Sequence, residues 1–255
     1  MYNFKVQTYT MQHIRPEDLI IIDIETAAEH PSFENMDDTW KHLWEEKIVR
    51  STPEGMSAAE FYPLRAGVMA EFSKIICISI GYFNKEVNLR MRVKSFYGHD
   101  EKKILTDFIT TINKIESINN KWCFAGHNIK EFDIPFICRR LLVNNFPIPR
   151  YLDFQNMKPW ETNIIDTFQY WRFGDYKHYT SLKLLAAAMG IPSPKDDIDG
   201  SMVGELYWTG TEEQRTAALK RIAIYCQKDV ITTGNIILRF KNIAPVPMDD
   251  IDIVE

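Results

Sequence analysis

The stretch Leu19-Ile20-Ile21-Ile22-Asp23-Ile24-Glu25-Thr26 decides the fold. Five of the six residues from Leu19 to Ile24 are aliphatic, and the run is too short for an independent helix. Such a β-branched run is typical of a central strand that is buried on both faces of a sheet. Asp23 and Glu25 interrupt it two residues apart, so on a strand both side chains leave the same face, with Cα atoms about 6.6 Å apart. Because two buried carboxylates repel each other unless a cation is shared, the pattern predicts a metal site.

The composition is that of an ordinary globular protein, with 255 residues, 45% hydrophobic and 25% charged. The apolar runs fall short of the roughly 18 residues of a membrane span, and the first residues have no signal-peptide pattern. We therefore expect a cytoplasmic protein with no membrane partner. The four cysteines form no CxxC pair, which favours reduced core residues over a disulfide frame or a zinc site. The formal net charge of −5 neither supports nor excludes a polyanionic substrate.

Strand-like and helical segments alternate after an antiparallel opening, which predicts an α/β fold with a mixed sheet. A hairpin turn is predicted at Asn84-Lys85, and one long helix or two abutting helices over 212–240. The polar stretch 27–70 is interpreted as an insertion after the first strand, which either lines the mouth of a site or covers the sheet without a substrate role. Residues 1–243 are predicted as a single domain containing this insertion, and residues 244–255 as an acidic C-terminal tail.

Two further segments carry candidate acids. The segment Gly126-His127-Asn128-Ile129-Lys130-Glu131-Phe132-Asp133 leaves a strand and enters a helix, where free backbone N–H groups favour phosphates and metal-bound oxygens. Asp133 is, equally, an ordinary residue for a helix N-cap. Tyr225 and Asp229 are four residues apart on a helix, so their side chains share one face. Taken alone, that pair also describes a half-buried tyrosine near a solvated aspartate.

In this order, DxE on an early strand, HNxxxFD at a strand-to-helix junction and YxxxD on a late helix resemble the DEDD superfamily of 3′-5′ exonucleases. The tyrosine places the resemblance in the DEDDy (DnaQ-like) branch, and it spans about residues 19–240, including Ile165-Asp166-Thr167. The run Ile198-Asp199-Gly200-Ser201 is similar to stand-alone exonucleases related to the proofreading domain of family B DNA polymerases. The resemblance implies an RNase H-like mixed β-sheet flanked by helices. It also implies a metal-dependent 3′-5′ exonuclease that acts on single-stranded or frayed DNA.

The resemblance also implies roles for particular residues. The metal-binding acids would be the four carboxylates that the motifs supply, namely Asp23, Glu25, Asp133 and Asp229. Tyr225 would position or activate the attacking water. Four carboxylates without His or Cys ligands favour two Mg²⁺ or Mn²⁺ ions over zinc. The residues expected to contact substrate lie beside these acids: Thr26, His127, Asn128 and Phe132.

Two alternatives remain open at this stage. The same five residues can hydrolyse RNA, so an exoribonuclease is the nearest rival, and contacts to the 2′-hydroxyl would decide the choice. A non-catalytic nucleic-acid-binding module on the same fold is the second. The expected partner is a single-stranded 3′ end, with DNA favoured over RNA, and no polymerase or repair partner is specified. A free-standing enzyme or a subunit acting in trans is expected. The segment Tyr176-Lys177-His178-Tyr179 either holds the strand or is a solvated loop with two packed aromatic rings.

Overall fold

The computed structural model describes residues 11, 13–85, 88–119, 121–158, 161–192 and 198–254. In this part of the chain, six strands form one mixed sheet. The strands are Leu19–Ala28 (β1), Ser73–Lys85 (β2), Leu89–Tyr97 (β3), Cys123–Gly126 (β4), Ile164–Asp166 (β5) and Ile251–Val254 (β6). Within the described residues, the α-helices are Asp38–Ile48 (α1), Ala58–Arg65 (α2), Glu101–Ile118 (α3), Asp133–Val143 (α4), Thr167–Arg172 (α5), Leu182–Ala188 (α6), Val203–Trp208 (α7) and Glu212–Phe240 (α8).

The strand order across the sheet is β5-β4-β1-β2-β3-β6. Strand β2 is antiparallel to β1 and β3, whereas the pairs β1–β4, β4–β5 and β3–β6 are parallel. The order 3-2-1-4-5 with a reversed second strand is that of the RNase H-like fold. The predicted α/β class and RNase H-like sheet are therefore confirmed.

The aliphatic residues of β1 enter two cores because successive side chains of a strand point to opposite faces. Ile20, Ile22 and Ile24 pack with the apolar sides of α3 and α4. Leu19 and Ile21 pack on the other face, with residues of α8. The predicted long helix over 212–240 is a single helix, which begins at a capping box formed by Thr211 and Gln214. Strand β1 is thus central both in the order of the sheet and between the two helical layers.

The stretch 27–70 contains α1 and α2 and has a hydrophobic cluster of its own. Trp44 and Tyr62 are fully buried in this cluster, and the Trp44 Nε1–H donates to the Ala58 carbonyl at 2.9 Å. The cluster also includes Ala28 at the end of β1 and Phe72 just before β2. The division into one domain with an insertion at this place remains a prediction.

The acidic C-terminal segment includes β6, which the sequence does not predict. Strand β6 pairs with β3 in parallel, with Ile251 opposite Met91 and Asp252 opposite Arg92. Arg90 Nη2 lies 3.1 Å from an Asp252 carboxylate oxygen. The acids of this segment are therefore partly neutralised by arginines of the neighbouring strand, which permits pairing at the sheet edge.

Among the described residues, no helix combines the length and the apolar character needed to cross a membrane.

Candidate active site

Asp23 and Glu25 lie on the face of β1 that is covered by α8. They are opposite Ser79 and Cys77 of β2, and the pairing is irregular directly after Glu25, because Ile76 is an extra residue on β2. Such a bulge changes the direction of the strand locally. The Glu25 side chain is buried, with a residue exposure of 8%. The predicted same-face arrangement of the two carboxylates is therefore present.

Asp133 is held against β1 by the backbone between these two acids. Its Oδ1 accepts a hydrogen bond from the Ile24 N–H at 3.1 Å. The parallel pairing of β1 with β4 runs only from Leu19 to Ile21, so the sheet opens beyond it and the Ile24 N–H needs another acceptor. Asp133 supplies that acceptor from the first turn of α4 and is 4% exposed.

Helix α8 brings Tyr225, Cys226 and Asp229 to the same place. The Cys226 thiol lies 3.2 Å from Asp23 Oδ2 and 3.4 Å from the Asp23 carbonyl oxygen. The Tyr225 hydroxyl is hydrogen-bonded to Asp229, as expected for positions four residues apart on one helix face. The structure thus brings together the five predicted catalytic side chains, from β1, α4 and α8: Asp23, Glu25, Asp133, Tyr225 and Asp229.

The electrostatics of the cluster are those of crowded buried acids. Burial raises the pKa of Asp23 well above its ordinary value, and the charges of Asp229 and Asp133 raise it further. Burial, Asp23 and Asp229 do the same to the pKa of Glu25. Burial raises the pKa of Asp133 to about 7, although hydrogen bonds from its own N–H and that of Ile24 oppose the shift. Burial and mutual repulsion therefore disfavour the ionised acids, and this donor set of hard oxygens fits divalent cations such as Mg²⁺ or Mn²⁺.

The sequence predicts Cys226 as a reduced core residue; it is a buried free thiol, and it also lies at the site. Its sulfur and one carboxylate oxygen each from Asp23 and Glu25 lie within 4.8 Å of one another, a grouping able to hold a metal ion. Burial, the adjacent Cys77 thiol and the two acids raise the pKa of the Cys226 thiol well above its ordinary value. Cys226 is therefore a neutral donor to Asp23. The sequence could have indicated that Cys226 lies at the site, because it precedes Asp229 by three residues and therefore shares its helix face.

His127 is fixed by hydrogen bonds within the protein. Its Nε2 lies 3.0 Å from the Thr180 carbonyl oxygen, so Nε2 carries the proton of that bond. Burial lowers the pKa of His127, which favours the neutral ring. Nδ1 lies 2.9 Å from the Thr167 hydroxyl oxygen, which also bonds to the Gly126 carbonyl at 3.1 Å. Both ring nitrogens are occupied, so His127 positions its own loop, and a substrate contact from it remains a prediction.

The other three predicted substrate residues are also engaged with the protein. The Thr26 hydroxyl donates to the Gly67 carbonyl at 2.6 Å, which joins β1 to the stretch 27–70. Phe132 packs on Phe136 at the edge of the core. Asn128 has a left-handed backbone with φ of 64°, and its Oδ1 is buried and accepts no hydrogen bond from the described residues. Their contacts with substrate likewise remain predictions.

Asp166 is a positioning residue to which the sequence assigned no role. Its carboxylate accepts from the backbone N–H groups of Asn128 and Lys130, each at 3.0 Å, and caps α5 through those of Phe168 and Gln169. It thereby fixes the loop that leads into Asp133. The available signal was an aspartate between a short strand and a helix, the usual place of an N-cap.

The fold and the site define a class, an RNase H-like α/β protein with a partly buried carboxylate cluster beside a tyrosine. A family model described as a predicted 3′-5′ exonuclease related to the exonuclease domain of PolB matches residues 68–246. This range covers most of the chain and includes Asp133, Tyr225 and Asp229, while Asp23 and Glu25 precede it. The chain belongs to this family of predicted 3′-5′ exonucleases. The resemblance to exonucleases related to the proofreading domain of family B DNA polymerases is therefore confirmed.

Among solved structures, the chain is similar to the family B DNA polymerase from the hyperthermophilic archaeon Pyrobaculum calidifontis. The two are 16% identical, the TM-score is 0.48, and the similarity covers 92% of this chain. The chain spans 28% of the length of that polymerase. Among curated proteins, none matched the sequence.

Proposed function

We propose that this protein is a metal-dependent 3′-5′ exonuclease that releases nucleotides from the 3′ end of single-stranded or frayed DNA. The observation that supports this most is the convergence of four carboxylates from three distant segments. Two of these carboxylates lie on the same face of β1. The family to which the chain belongs supports nuclease activity in general terms. The nucleic acid cleaved, the polarity and the metal requirement are parts of the proposal.

Asp23, Glu25, Asp133 and Asp229 would hold two Mg²⁺ or Mn²⁺ ions, since their oxygens are the ligands that such ions prefer. When bound, two such ions supply positive charge beside the scissile phosphate, make water more acidic and stabilise the leaving oxygen. The chain's own contribution is to hold these acids rigidly in place. Asp133 is tied to the backbone of β1, and Cys226 donates to Asp23.

Of the two roles that the resemblance implies for Tyr225, we propose positioning of the attacking water rather than its activation. Burial, followed by the charges of Asp229 and Glu25, raises the pKa of the phenol above its ordinary value of 10. In the metal-free protein the phenol therefore stays protonated at neutral pH, which favours hydrogen bonding to water over accepting its proton. Its hydroxyl, fixed by Asp229, would orient the attacking water by hydrogen bonding.

DNA as the preferred polymer, a cytoplasmic location and action in trans with an unidentified polymerase or repair partner belong to the same proposal. They rest on the sequence and on the family resemblance. Contacts that would distinguish a 2′-hydroxyl from a hydrogen are made with the substrate itself.

The test is digestion of 5′-labelled single-stranded DNA, blunt duplex DNA and RNA of the same sequence, each with Mg²⁺, Mn²⁺ or EDTA. We expect a ladder that shortens from the 3′ end of single-stranded DNA and disappears in EDTA. Asp229→Asn should abolish it, and the exposed-acid control Asp107→Asn should not. A ladder on RNA alone would favour the exoribonuclease, and no cleavage of any polymer would favour the non-catalytic module.

A further inference from the structure

The segment between α5 and α6 exposes three aromatic rings to solvent. We call residues 173–179 the aromatic loop. Phe173, Tyr176 and Tyr179 are 81%, 78% and 67% exposed. Three large exposed rings in one short loop are unusual. They contribute little to the core, so polar residues at these positions would cost no stability.

Both ends of the aromatic loop are attached to the segment that leads into Asp133. At one end, Arg172 Nη1 pairs with a Glu131 carboxylate oxygen at 3.3 Å. At the other end, the Thr180 carbonyl accepts from His127 Nε2 at 3.0 Å. The loop is therefore anchored to the segment that carries Asp133 into the candidate active site.

The base of the loop is ordered by the buried ring of Phe168. The Arg172 guanidinium lies 3.9 Å from the centroid of this ring, and the Tyr179 ring lies 5.0 Å from it. Arg172 also lies 5.6 Å from the Tyr176 ring. The Phe173 ring in turn lies 5.6 Å from the Tyr170 ring. The three rings of the loop therefore each have a neighbour within the protein while most of their surface stays exposed.

The backbone of Phe173 is the least expected feature. Its φ of 44° and ψ of 34° lie in the left-handed region at the end of α5, where glycine or asparagine is the usual residue. A bulky ring is disfavoured there, and this one is almost fully exposed. A residue chosen for stability alone would be smaller, so the ring is better explained by a ligand.

Positive charge accompanies the rings. Lys177 lies between Tyr176 and Tyr179 and is exposed, whereas Arg172 at the start of the loop is mostly buried and paired with Glu131. Asp175, the acid of the loop, accepts from the Lys177 N–H and lies 3.0 Å from His178 Nδ1. Rings that stack on bases, interleaved with cations that meet phosphates, are the recognition chemistry of single-stranded nucleic acid.

We propose that the aromatic loop binds the single-stranded segment preceding the 3′-terminal nucleotide, with bases stacked on Phe173 and Tyr176 and a phosphate contacted by Lys177. This inference rests on the proposed function and deepens it by assigning a second contact region. Of the two alternatives for the Tyr176–Tyr179 segment, the proposal favours the one in which the segment holds the strand.

The test compares a 20-nucleotide single-stranded DNA with the p-nitrophenyl ester of thymidine 5′-monophosphate, which is too small to reach the loop. Phe173→Asn, which suits the left-handed backbone, and Tyr176→Ala should each raise KM for the oligonucleotide about tenfold, in line with base–aromatic stacking. Hydrolysis of the ester should be unchanged. The control Tyr97→Ala, an exposed ring on β3, should alter neither substrate.

Binding of a 5′-fluorescein oligonucleotide in EDTA, followed by anisotropy, separates the two proposals. If the wild type cleaves neither substrate, the proposed function fails, but weaker binding by Phe173→Asn would still support the platform. Unchanged KM and binding in both loop variants would overturn the inference and leave the rings to a protein partner. Loss of ester hydrolysis in a correctly folded variant would also overturn it, since the rings would then act at the acids.

Discussion

Replacing Asp133 by asparagine is expected to stabilise the protein when divalent ions have been removed. Asp133 is 4% exposed, and both its burial and the charges of Asp166 and Asp229 disfavour its ionised form in the metal-free state. The asparagine Oδ1 can still accept from the Ile24 N–H, so the substitution removes a charge and keeps the hydrogen bond that Asp133 makes at 3.1 Å.

The size of the effect follows from the shift in the pKa of Asp133, from 3.8 to about 7. About three pKa units at 1.36 kcal/mol each set a ceiling of about 4 kcal/mol on the free energy of unfolding. Because the folded pKa is raised, the unfolded chain loses this proton first as pH rises. The wild type therefore loses the contribution of Asp133 between about pH 4 and pH 7, whereas the variant loses only what the raised pKa values of Asp23 and Glu25 cost. Sharing of protons among the coupled acids lowers the gain below the ceiling.

The assay is urea unfolding at pH 8 and at pH 4, in EDTA and in Mn²⁺, with the exposed-acid variant Asp107→Asn as control. In EDTA we expect Asp133→Asn to be more stable than wild type at pH 8 and equal to it at pH 4. In Mn²⁺ the order should reverse, because two ions, each at 100 times its Kd, add about 2.7 kcal/mol apiece to a protein that binds both, which together exceeds the ceiling of about 4 kcal/mol. An Asp133→Asn protein that is less stable than wild type at pH 8 in EDTA would refute the reasoning.

Three further predictions concern other parts of the structure. Tyr225→Phe should lower kcat at least about tenfold, because the loss of one hydrogen bond corresponds to about that change in rate. The variant should keep the rise in Tm that Mn²⁺ induces. Loss of that rise would mean that the hydroxyl supports metal binding. Gly126→Ala should destabilise the protein by about 1–3 kcal/mol in urea, because its Cβ would lie 2.8 Å from the Ile22 carbonyl oxygen; an unchanged midpoint would show that the loop can move aside. Arg140→Met should cost about 3–5 kcal/mol by the same measurement, because Arg140 pairs with the buried Glu101 at 2.6 Å; a cost below about 1 kcal/mol would contradict a buried pair.

Local periodicity was sufficient to predict the class of the fold. The β-branched run of β1 and the spacing of apolar residues in α3 and α8 depend on neighbouring residues alone, and the structure has these elements in place. The spacing within DxE and YxxxD also fixed which side chains share a face. No single spacing predicts that β1, α4 and α8 meet in space. That expectation came from the resemblance to a family.

The features that the sequence did not reveal depend on contacts across the chain. The turn predicted at Asn84-Lys85 is wrong, because β2 continues through these residues, with Asn84 opposite Arg90 and Lys85 opposite Leu89. Strand β6 is short and acidic, and its pairing depends on arginines that are about 160 residues earlier in the chain. Cys226 approaches Asp23 only because α8 lies across β1. Such contacts leave no periodic trace in the sequence.

The central claim is that acids from three segments hold divalent ions, and a Mn²⁺ titration followed by electron paramagnetic resonance tests it most directly. We expect the wild-type protein to bind two ions in the presence of thymidine 5′-monophosphate, and Asp23→Asn and Asp229→Asn each to lose them, while Asp107→Asn binds as wild type does. Equal Mn²⁺ binding by all four proteins would contradict the account.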